Sequence, residues 1–142
     1  MLLAFIDPTA PAGSLALRPI TRPGDTPPTL AFVQQLLGGA VEAILTVHIG
    51  ESHSFLLYVC AERGTQPAIC RVDLGLFSHC GAAATGQLDG TIYGPVLIVG
   101  GDLEGGHRSL SEEEFAAFTL VADVRPNELP VLHFRALDDD AD

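Results

Sequence analysis

Leu2 to Ile6 form an unbroken apolar run that Asp7-Pro8 cuts off, the length and boundary of a short strand. After the turn chemistry of residues 7–13, Leu15, Leu17 and Pro19 alternate with Ser14, Ala16 and Arg18. That alternation predicts a second strand and an opening hairpin with a long loop. A proline-rich connector, Arg22 to Pro28, then leads into a different period. Leu30, Phe32, Val33, Leu36 and Leu37 fall on one side of a helix, with Gln34 and Gln35 on the other. Asp25 or Thr26 is the expected cap, with Pro27 at the first helical position, where a missing N–H costs nothing. Gly38-Gly39 is the expected stop.

Val41 to Ile49 reads as a strand, with Val41, Ala43, Leu45, Val47 and Ile49 on one face. Phe55 to Ala61 is apolar on both faces, which places it centrally in a sheet. Residues 62–68 read as a loop. Ile69 to Phe77 fits a strand or a poor helix, and Ser78 to Gly90 is a run of small residues. Ile92 to Val99 reads as one strand, followed by a glycine-rich loop, Gly100 to Gly106. Ser111 and Glu114 have the spacing of a capping box, and acids in that first turn suit the helix dipole. Phe115, Phe118 and Val121 give this helix its apolar stripe, and Pro126 blocks its extension. Val131 to Leu137 closes the chain as a last strand, with Leu132 and Phe134 on the buried side. The whole predicts an α+β fold: a single compact domain over residues 1–137, with two helices and a mainly antiparallel or mixed sheet of about five to seven strands.

Composition narrows the function. The 142 residues are 47% hydrophobic, enough for a substantial core. Eighteen acids oppose seven bases, for a net charge of −11, and every base is an arginine. The absence of lysine excludes a lysine Schiff base and a Walker-type phosphate lysine. An acidic body also argues against direct binding of nucleic acid, which needs cations to displace counterions. Asp138 to Asp142 reads as a disordered acidic tail. The three cysteines, Cys60, Cys70 and Cys80, have no zinc-type spacing and are read as reduced, buried thiols. No signal-type segment and no apolar stretch of membrane length is found, which predicts a cytoplasmic protein with no membrane partner.

Several segments, in order, resemble the small family catalogued as domain of unknown function 3846, found in phages, plasmids and actinobacteria. They are Phe5-Ile6-Asp7-Pro8, Leu37-Gly38-Gly39-Ala40-Val41-Glu42, Tyr58-Val59-Cys60-Ala61-Glu62, residues 94–102 and residues 109–114. The chain departs from that family at residues 68–73, where an Asn-Arg-Ala-Ala-like segment is usual. The resemblance implies a compact α+β fold and a mobile-element setting, and no particular activity.

Three constellations bear on chemistry. His48, Glu51 and His53 surround a turn, a spacing without favoured metal geometry, so no metal is expected. His79 and Cys80 are adjacent, with Asp73 near in sequence, but neighbours in an extended chain point to opposite faces. The loop after Val99 is the strongest candidate. Gly100, Gly101, Asp102, His107, Arg108 and Ser109 lie between a strand and a helix, where backbone N–H groups and the His107 and Arg108 donors could meet a polar or anionic group. Asp102 and Glu104 would repel phosphate there. The best-supported expectation is a non-enzymatic binding or regulatory accessory protein with a protein partner, no catalytic residues and no cofactor. The alternatives are a small-ligand, nucleotide-type binder using the glycine loop, and an acidic mimic of nucleic acid. Oligomeric state is not legible from the sequence.

Overall fold

The computed structural model describes residues 1–7, 17–23, 28–49, 53–60, 68–72, 91–101, 106–121 and 130–134. In chain order they form β1 (Leu2–Ile6), β2 (Leu17–Thr21), α1 (Leu30–Leu37), β3 (Val41–Ile49), β4 (His53–Cys60) and β5 (Ala68–Val72). Then come β6 (Thr91–Tyr93), β7 (Val96–Gly101), β8 (His107–Arg108), α2 (Glu112–Ala117), β9 (Phe118–Val121) and β10 (Val131–Phe134).

The α+β expectation stands, with two helices among the described residues. The strands divide between two sheets. One runs β2-β1-β7-β4-β3, with β8 paired to β7; the other runs β6-β5-β10-β9. All pairs are antiparallel except β5 with β10. β4 lies between β3 and β7, as its two apolar faces require. β7 is more central than its sequence suggested: it separates the β1–β2 and β3–β4 hairpins and is buried throughout.

Alternation along β1, β4 and β7 sends side chains to two cores. On one face Leu3, Leu97 and Val99 pack against Val33 and Leu37 of α1. On the other, Ala4, Phe55, Leu57 and Ile98 pack against Cys70 and Leu132 of the second sheet. An aromatic trio joins the two sheets there. The Phe55 ring stands edge-on to Phe118 at 4.9 Å and tilted to Phe134 at 5.2 Å, and Phe118 meets Phe134 at 4.8 Å. Such pairs add about 0.5–1.5 kcal/mol each beyond the area they bury.

Local differences from the sequence reading have local causes. The second strand is described from Leu17 and runs past Pro19 to Thr21, held by its pairing with β1, while Ser14, Leu15 and Ala16 lie outside the described residues. The cap of α1 is Thr29, whose Oγ1 accepts from the Phe32 N–H at 3.1 Å. Residues 24–27, which include the expected caps, lie outside the described residues. Gly38 closes α1 at φ 84°, a conformation that favours glycine. β3 carries a register shift between Ala43 and Leu45, so its period is interrupted once against β4. The expected strand from Ile92 to Val99 is two strands in different sheets, divided at Gly94, where φ is 76°. The second helix ends at Ala117. Phe118 turns extended and starts β9, because pairing with β10 sets Phe118 opposite Phe134. That tertiary pairing outweighs the helical spacing of Phe115 and Phe118. Residues 73–90, Pro126 and the tail 138–142 lie outside the described residues.

Candidate functional site

The two glycines expected to open the loop belong instead to the end of β7. Gly100 pairs with Arg108 and Gly101 with His107, so the loop is a β7–β8 hairpin. Asp102 and Glu104 fall between its strands and lie outside the described residues. The other expected residues, Gly100, Gly101, His107, Arg108 and Ser109, are brought together at the base of the hairpin.

Arg108 faces inward, and its five guanidinium N–H groups can all be accounted for. Nε donates to the Gly101 carbonyl at 2.9 Å. Nη1 donates to the Ser109 carbonyl at 2.9 Å and to Glu114 Oε1 at 2.7 Å. Nη2 donates to Glu114 Oε2 at 2.7 Å and to the Ser54 carbonyl at 3.4 Å. The guanidinium also lies near the Phe55 ring, 5.9 Å from its centroid. Its charge is met by a carboxylate whose side chain is only 4% exposed. Arg108 is therefore a clamp among β4, the hairpin and α2, and its N–H groups are spent inside the fold. The donors expected to meet an anionic ligand are thus bonded to Gly101, Ser109, Glu114 and Ser54.

Glu114 does two things at once. It completes the capping box of α2, accepting from the Ser111 N–H at 2.9 Å while Ser111 Oγ accepts from the Glu114 N–H at 3.0 Å. With the same carboxylate it takes the Arg108 fork. The capping spacing was legible, but the ion pair was not: Arg108 and Glu114 are six residues apart, across a strand-to-helix turn.

Gly100 is required by this clamp. A Cβ there would lie 2.8 Å from the Arg108 carbonyl oxygen and 3.1 Å from Nη1. A Cβ on Gly101 would lie 3.1 Å from Ser54 Oγ. Ser109 is also committed: its Oγ accepts from the Leu2 N–H at 2.8 Å and donates to the Leu110 carbonyl at 2.9 Å. The Leu110 N–H returns to the Leu2 carbonyl at 2.9 Å, so the exit of the hairpin is tied to the start of β1.

His107 points to the opposite face from Arg108, as alternation dictates. Its Nε2 shares a 2.7 Å hydrogen bond with the Tyr58 hydroxyl, and the rings meet edge-on at 5.8 Å. Burial raises the Tyr58 pKa, so the phenol stays protonated through the neutral range. Tyr58 was missed as a site residue because β4 reads as plain core. Its hydroxyl is the one polar group on an otherwise apolar run from Phe55 to Val59.

Elsewhere, Cys70 is a buried free thiol whose pKa burial pushes up to about 12, which makes it a poor nucleophile. Glu51, His79, Cys80 and the side chains of His48 and His53 lie outside the described residues. Among the described residues no three His, Cys, Asp or Glu side chains gather as a metal site, and no helix is long and apolar enough to cross a membrane. No family model, curated protein or solved structure matches the chain.

Proposed function

We propose that this protein is a non-enzymatic binding or regulatory module and that the β7–β8 hairpin meets its partner, a second protein. One observation carries the reading: the base of the hairpin is fixed from three sides. Arg108 bonds it to β4 and α2, Ser109 ties it to β1, and Tyr58 holds His107. A rigid base carrying a short connecting segment is how folds present recognition loops. That segment holds Asp102 and Glu104 in sequence, so a basic partner surface suits it. A mobile-element setting belongs to the same proposal and rests on the resemblance to the 3846 family, and a cytoplasmic location rests on reading the cysteines as reduced thiols.

Affinity capture from lysate with the full chain, followed by the Asp102→Ala/Glu104→Ala pair, tests the assignment. Loss of the captured protein, with thermal stability unchanged, is the expected result. Undiminished capture by the double variant would assign recognition to another surface. Substitution of Arg108 is the wrong test, because it disturbs the fold before it disturbs a partner.

A further inference from the structure

Arg22, just past β2, stands apart from Arg18 and Arg108, the other arginines whose side chains are described. Arg18 pairs with Asp7 at 3.3 Å, and Arg108 spends its N–H groups on four acceptor residues. The backbone of Arg22 is fully used, bonding Met1 in both directions at 2.7 and 2.8 Å. Its side chain is not. The guanidinium lies over the Phe32 ring, 4.3 Å from the centroid. Nε is buried and has no hydrogen-bond partner among the described residues. Among the described residues no carboxylate forms an ion pair with it.

We propose that Arg22, held on Phe32, is an oxyanion site that takes the phosphate or carboxylate group of a small ligand. Stacking on an aromatic face fixes the guanidinium plane, so little conformational freedom is left to lose when a ligand binds. The Nη1 and Nη2 groups then form a fork that matches two oxygens of one oxyanion. A buried Nε places part of the charge where water screens it weakly, which strengthens its pull on an anion. Arg22 is also a cation set in a chain of net charge −11, so a bound anion here answers a local need and not the overall field.

The test is a titration of the full chain with inorganic phosphate, sodium acetate or sodium chloride at matched ionic strength, following the arginine Nε–H resonances by NMR. The Arg22 signal should move along a saturating curve with phosphate, acetate or both, while the Arg18 signal does not. The stronger of the two anions identifies the ligand class. Arg22→Gln, which leaves the backbone bonds to Met1 in place, should weaken the binding at least about tenfold, the worth of a charge-assisted pair. Phe32→Leu should weaken it less. Equal, non-saturating shifts in all three salts, or unchanged phosphate binding by Arg22→Gln, would overturn the assignment.

Discussion

Replacing Arg108 by alanine removes five hydrogen bonds, but the main cost falls on the residue left behind. Glu114 is a carboxylate with a 4% exposed side chain, and it would lose both bonds of the Arg108 fork while keeping the Ser111 N–H of its capping box. Breaking one side of a buried ion pair typically costs about 3–5 kcal/mol, because the surviving charge stays desolvated. Arg108 itself is 30% exposed, so water can enter the vacated space, and about 3 kcal/mol is the appropriate figure. That is a large share of the roughly 5–15 kcal/mol that holds a domain together. In urea, with a slope of about 2 kcal/mol per molar, the midpoint should fall by about 1.5 M. The double variant Arg108→Met/Glu114→Leu should recover part of this, since an apolar pair leaves no buried charge. It forfeits the capping box and so does not recover all of it. A single-variant loss below about 1 kcal/mol, or a double variant as unstable as the sum of the singles, would refute the account of a buried clamp.

Three further outcomes follow from the same geometry. Gly100→Ala should destabilise by about 1–3 kcal/mol in the same urea assay, because its Cβ meets a backbone oxygen that cannot swing away. Thr29→Ala should cost about 1 kcal/mol through the lost cap of α1, measurable as a lower thermal midpoint. Stability should fall as pH rises from about 9 toward about 12. The Cys70 thiol ionises near 9.0 in the unfolded chain but only near 12 in the fold, and burial of Tyr58 adds in the same direction. A flat alkaline limb in chemical denaturation, or its persistence in Cys70→Ala/Tyr58→Phe, would show that these groups are not the cause.

Much of the fold was legible because burial imposes period on sequence. β1, β3, β4 and the α1 stripe stand out as apolar runs, and the Ser111–Glu114 box is a local signal that needs no tertiary context. What escaped detection is what only distant neighbours decide. Nothing local says that Ile92 and Leu97 serve different sheets; a positive φ at Gly94 makes that possible, and pairing with β5 and β1 makes it so. Phe118 reads as helical until β10 is set beside it. The site followed the same rule. The residues of the hairpin were found from glycine, charge and position, yet the direction Arg108 takes depends on Ser54 and Glu114, and no spacing joins those three. Tyr58 became visible only when β4 and β8 were seen on the same sheet.

The place of β7 has a consequence for how the chain comes off the ribosome. β1 with β2, and β3 with β4, are hairpins whose partners are close in sequence, so both can close early. The strand that joins them pairs Ala4 with Ile98 and Leu57 with the same Ile98. Until that residue emerges, β1 and β4 each present an open edge, and both cores lack the side chains that β7 brings. Nascent chains are then open to pairing with one another, and the remedy arrives in a single six-residue segment. Slow translation or substitution within Val96–Gly101 should therefore show first as aggregates during synthesis, before any loss is measurable in protein that has already folded.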